Sequence, residues 1–169
     1  MENKELQRRL LEQRRKYTAR QVLPGFKDTL ERVLGCDISR FDFLEVQAIE
    51  ELLAAFSRKM AEDPTVRSKT CEASKVSEIW EEVADIALCV AGIDAVFFHS
   101  FGEYTAGVIL PAGTVLANAE AIWEVLGGPY LRLITMDHAS GFHLDRYMVA
   151  YPEKLVREYE LRTWGVFAR

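Results

Sequence analysis

The chain has 169 residues, 49% hydrophobic and 28% charged, with ten Gly and five Pro. That balance excludes a disordered, collagen-like or low-complexity polypeptide, and a chain of this length buries roughly 70% of its unfolded surface, enough for one core without disulfide or metal staples. The net charge of -5 is uneven: residues 1–34 hold nine basic and five acidic side chains, residues 35–126 six and sixteen, residues 127–169 six and five. So acidic a middle region discourages nonspecific nucleic-acid binding, which needs Lys and Arg, and suits a basic protein partner.

The first element is a basic arm over residues 1–22. Arg8, Arg9, Arg14, Arg15, Lys16 and Arg20 stand against Glu12, while Leu6, Leu10, Gln13 and Tyr17 recur at helical spacing. Such a helix suits RNA, an anionic membrane or an acidic surface; equally, its Leu6, Leu10 and Tyr17 stripe can pack on the acidic middle of its own chain. Leu23, Phe26, Leu30, Val33 and Leu34 predict a short helix, started at Pro24 and stopped at Gly35. Asp42 with Glu45 resembles a capping box ahead of a second helix carrying Ile49, Leu52, Leu53, Phe56 and Met60 on one face. Asp63-Pro64 ends it, and Thr65 to Ser74 reads as a polar link. Val76, Ile79, Trp80, Val83, Ala87 and Val90 give a third helix ending near Gly92.

Beyond Gly92 the period changes to that of strands. Asp94–Ser100 and Tyr104–Leu110 form a predicted hairpin around Phe101-Gly102-Glu103. Val115, Leu116, Ala119, Ile122, Trp123 and Leu126 return to helical spacing before Gly127-Gly128-Pro129. Tyr130–Met136, Phe142–Tyr151 and Glu158–Phe167 read as three further strands, the last as a charged edge strand. The predicted class is α+β: an N-terminal helical half, then about five antiparallel strands with one inserted helix. All 169 residues form one domain, divided into the arm (1–22), a helical part (23–92) and the sheet part (93–169). Neither GxGxxG nor GxxxxGK[ST] occurs, so no nucleotide or other cofactor is expected.

Cys36, Cys71 and Cys89 make no CxxC pair and read as reduced, core-filling thiols. No apolar run follows the charged start of the chain, and Val83–Ile93 is too short to span a bilayer; a cytoplasmic protein without a membrane span is expected.

The densest reactive cluster is Asp137-His138-Ala139-Ser140-Gly141-Phe142-His143-Leu144-Asp145. If His143 and Asp145 share a strand they share a face, as a base with its orienter or as metal ligands would. His99 can join His138 and His143 in a zinc-like site only if the hairpin tips share a sheet edge. The alternative is turn chemistry, in which Asp, Ser and Gly serve the backbone. A three-residue loop pairs Met136 with Phe142 and Ile134 with Leu144 but sets Arg132 against Arg146; a four-residue loop avoids that clash and loses the apolar pairs. Trp80 and Trp123 fit apolar stripes, whereas Trp164, next to Gly165, suits an exposed anchor.

Size, acidic middle and the missing catalytic signature together lead to the expectation of a noncatalytic binding protein of bacterial type, such as a toxin-neutralising immunity protein. Its acidic face would carry Glu50, Glu51, Glu78, Glu81, Glu82 and Asp85, with Trp164 as anchor. A small hydrolase or metal-dependent enzyme using Asp137, His138, His143 and Asp145 is the alternative, and RNA or membrane association through the arm a second one.

Overall fold

The structure is a computed structural model that describes residues 2–102, 104–152 and 154–168; Met1 and Glu103, both part of the readings above, lie outside them. Helix α1 (Glu2–Leu34) is followed by α2 (Val46–Glu62), strand β1 (Arg67–Glu72), α3 (Val76–Cys89), β2 (Asp94–Phe101) and β3 (Tyr104–Pro111). Two short helices, α4 (Ala112–Ala117) and α5 (Ala119–Leu126), lead into β4 (Tyr130–Ile134), β5 (Gly141–Tyr151) and β6 (Lys154–Trp164). The architecture is α+β, as the change of period predicts.

The six strands form one antiparallel sheet in the order β1-β6-β5-β4-β2-β3. Alternation along β2 sorts its two faces. Ala95 and Phe97 join a core with Phe26 and Leu30 of α1, Ile79, Val83 and Ile86 of α3, and Val115 and Ile122 of α4 and α5. Val96 and Phe98 point the other way, onto Ile49, Leu52 and Phe56 of α2 together with Ile134 and Trp164. The sheet is thus sandwiched, with α2 alone on one face.

Several expectations are corrected. The sheet has six strands rather than five, because the supposed polar link contains β1. Five of its six residues, Arg-Ser-Lys-Thr-Cys-Glu, are exposed, so no apolar alternation announces it, and backbone pairing with β6 makes the strand. That pairing also places β6 inside the sheet, between β1 and β5, so residues 158–167 are no edge strand. Helix α1 runs uninterrupted from the arm into the predicted short helix, with Pro24 in its interior and Gly35 at φ 65° just past its end. The stripe of Leu6, Leu10 and Tyr17 is 57%, 48% and 68% exposed and does not pack on the middle region; Leu11, Ala19, Val22 and Leu23 turn inward instead. Glu45 caps α2 without a side-chain bond, and there is no capping box. Asp42 and Leu44 are occupied elsewhere: Ile109 N–H donates to the Asp42 carbonyl at 3.0 Å and Leu44 N–H to the Gly107 carbonyl at 2.9 Å, flanking β3. The inserted helix is two helices, α4 and α5, which meet at Asn118.

All three thiols are free; Cys36 and Cys71 are half-buried and Cys89 is exposed, so the last fills no core. No helix among the described residues is long and apolar enough to cross a membrane.

Candidate functional site

Two surfaces carry chemistry, one on each side of the sandwich. The first is the outer face of α3. Ile79, Val83, Ile86 and Ala87 are buried against the sheet, which by helical geometry turns Glu78, Glu81, Glu82 and Asp85 outward. These four carboxylates, with Lys69 of β1 and the edge of Ile86, line a shallow depression of about 410 Å³. Lys69 bonds Glu82 at 2.7 Å, and that partner raises the ammonium pKa. Glu78, Glu81 and Asp85 have no ion-pair partner among the described residues, so negative charge remains uncompensated there. Glu50 and Glu51 lie apart from this patch, on α2 across the sheet. Glu50 pairs with Arg15 of the arm, and Glu51 accepts from Gln47 at 3.1 Å. The six carboxylates therefore do not form one face. Trp164, expected as an exposed anchor, is 0% exposed beneath α2, its ring edge-on to Phe56 at 5.3 Å.

Of the basic arm, Arg15 reaches Glu50, Arg8 and Arg9 bond Glu5, and Lys16 bonds Glu12. Much of the arm's positive charge is thus answered by carboxylates of its own helix or of α2.

The second surface is the α2 side of the sheet, at the margin of α2, where Phe56 covers Arg132 and His143. β4 pairs Arg132 with His143 and Tyr130 with Asp145, and β5 pairs His143 with Arg162 and Asp145 with Glu160. The three-residue register does not occur: Thr135 N–H donates to the Ser140 carbonyl at 3.0 Å across the four residues 136–139, and the Met136–Phe142 and Ile134–Leu144 pairs are lost. The connection spans residues 135–140, which moves Arg132 away from Arg146 and sets it beside His143. His143 and Asp145 do share a face, as alternation along one strand requires.

Arg132 is the centre of this cluster. Its guanidinium carbon lies 4.4 Å from the Phe56 ring centroid and 4.6 Å from that of Tyr130. Its Nε donates to His143 Nδ1 at 3.5 Å, which places the imidazole proton on Nε2, 3.9 Å from Asp145 Oδ2. Burial pulls the His143 pKa below its usual value, with Arg132 adding to that and Asp145 opposing it, while contact with His143 lowers that of Asp145. Tyr130 is fixed in turn by its hydroxyl, which donates to Ser100 Oγ at 2.5 Å; Ser100 also bonds Thr105 Oγ1 at 2.9 Å. Arg162 is engaged by Glu160 at 2.7 Å.

The remaining members of the sequence cluster serve the β4–β5 turn. Asp137 Oδ1 accepts from Thr135 Oγ1 and Ala139 N–H at 2.6 and 3.0 Å, Ser140 Oγ accepts from Val166 N–H at 3.0 Å, and His138 sits exposed at φ 60°. His99 is on the opposite sheet face from His143, stacked on Phe26 at 5.5 Å. The antiparallel register of β2 and β4 puts the β4–β5 turn at the Asp94 end of β2, far from the Phe101-Gly102 tip. The three histidines therefore do not converge, and no group of three metal-ligating side chains occurs among the described residues.

Sequence reasoning passed over Arg132, Tyr130 and Phe56 as a unit. The available signal was Tyr130-Leu-Arg-Leu-Ile, where alternation aligns an arginine with the aromatic and apolar residues of one face; its neighbours depend on a loop length that the sequence leaves open. No protein-family model, curated protein or solved structure matches this chain.

Proposed function

We propose that this is a noncatalytic binding protein that docks on a basic protein partner through the outer face of α3. The observation that carries the reading is the set of Glu78, Glu81 and Asp85, three exposed carboxylates without a cationic partner among the described residues, beside a Glu82 shared with Lys69. Leaving like charges together on one helix face costs a few tenths of a kcal/mol per pair, a cost that a cationic partner removes on binding. The same uncompensated charge steers association, raising on-rates in a salt-dependent way. A toxin-neutralising immunity protein is one form such a binder takes.

The test is charge reversal confined to this face. The parent and the quadruple variant Glu78→Lys, Glu81→Lys, Glu82→Lys, Asp85→Lys are each used to retain proteins from native lysate, followed by binding kinetics on the purified partner. A basic protein held by the parent, whose on-rate falls about tenfold with the reversal while circular dichroism is unchanged, supports the reading. Equal on-rates for both proteins sink it. Reversing Glu50 and Glu51 instead should leave association nearly unchanged, because they lie on the opposite layer.

A further inference from the structure

On the α2 side of the sheet, Arg132 is placed as an anion receptor. Its one hydrogen bond to protein, Nε to His143 Nδ1, is at 3.5 Å, and no carboxylate lies within ion-pair distance of it among the described residues. The Phe56 and Tyr130 rings stabilise its charge yet accept none of the four N–H bonds on the two terminal nitrogens. No buried side-chain nitrogen or oxygen among the described residues lacks a partner, so the terminal nitrogens of this half-buried side chain are not sealed from solvent. A half-buried guanidinium whose outer edge is unanswered and whose plane is held by two rings has paid its ordering cost in advance.

The neighbouring charges narrow the ligand. Arg162 is engaged by Glu160, burial lowers the His143 pKa, and Asp145 stands on the same face. One positive charge, partly offset by Asp145, suits a monoanion and disfavours a phosphate dianion. A planar carboxylate also matches the geometry of two terminal nitrogens, accepting one N–H from each.

We propose that Arg132, framed by Phe56 and Tyr130 and braced by His143, binds the carboxylate of a ligand at the margin of α2 on this face of the sheet. The carboxylate can come from a free organic acid or from the glutamate of a peptide, and the two sources are separated by experiment. Propionate, the blocked peptide acetyl-Gly-Glu-Gly-amide and inorganic phosphate are titrated at pH 7.5 into ¹⁵N-labelled protein, following the Arg132 Nε–H resonance and the backbone amides of β4 and β5. Propionate or the peptide should give saturable shifts at these positions, the tighter of the two identifying the source, with phosphate at least fivefold weaker. Arg132→Lys, which keeps the charge and loses the fork, should weaken the carboxylate at least fivefold, whereas Arg146→Lys on the other sheet face should not. Asp145→Asn, which removes the competing anion, should tighten it severalfold, a gain that a damaged fold does not produce. Non-saturating shifts, tighter binding of phosphate, or an Asp145→Asn protein no tighter than the parent would overturn the assignment.

Discussion

Gly141 and Trp164 are direct partners across β5 and β6, and their sizes are complementary to an unusual degree. A Cβ on Gly141 would sit 2.1 Å from Cζ2 of the indole, a distance at which one side or the other must move. The ring has nowhere to go, being enclosed by Phe56, Val96, Phe98 and Ile134. Gly141→Ala should therefore cost about 2–3 kcal/mol, the upper part of the range for overpacking, read as a lowered urea midpoint with unchanged slope. An unchanged midpoint would mean that the indole has room to shift. The pairing also explains why the sequence misleads at Trp164. A tryptophan before a glycine near a chain end looks exposed, and only the register with a residue 23 positions earlier buries it. Arg132 has the same history, since its alternation is plain in the sequence while its pairing with His143 rests on a six-residue turn that no local rule determines.

Among the elements, those with strong periodicity were legible. The second and third helices and the β2–β3 hairpin fall where the apolar spacing puts them, because each buries a face wide enough to repeat several times. β1 was illegible for the opposite reason, its side chains having almost nothing to bury. Pro24 marks a third case. It reads as a helix start, yet it stands inside α1, where it removes the N–H that would bond the Arg20 carbonyl. The burial of Val22, Leu23, Phe26 and Leu30 around it holds the helix continuous despite that loss. Pro24 is itself exposed, so Pro24→Ala should stabilise the protein by about 1–3 kcal/mol, seen as a higher thermal midpoint. A lower midpoint would show that α1 needs the bend that proline imposes.

At the level of the whole molecule, the two sheet faces each bury a histidine, His99 against Phe26 and His143 against Phe56. Burial lowers the pKa of both from an ordinary value of 6.5, so each is more easily protonated in the unfolded chain than in the folded one. The unfolded state then holds more protons below that value, and stability falls as the pH drops through it, by up to about 1.4 kcal/mol per pH unit for each histidine. As the pH rises past 7 this slope fades toward zero. Urea denaturation at pH 7.5 and 5.5 should show the decline, and His99→Phe, which keeps a ring on Phe26, should remove a large part of it. An identical decline in that variant would assign the effect to His143 and to the carboxylates.

The strand order has a consequence for how the chain is made. β1 is made before every other strand of the sheet, yet its partner β6 is the last of the six described, and the bond from Ser68 to Glu160 spans 92 residues. Trp164, which ends β6, and Phe167 just beyond it are wholly buried in the finished molecule. The β2–β3 hairpin gives α1, α2 and α3 a sheet to pack on by residue 111, whereas β1 waits for β6, and non-local pairing of this kind is slow. β6 is the strand through which β1 is held to the rest of the sheet, so a cut in the Tyr151–Lys154 turn separates two strands from the sheet rather than one.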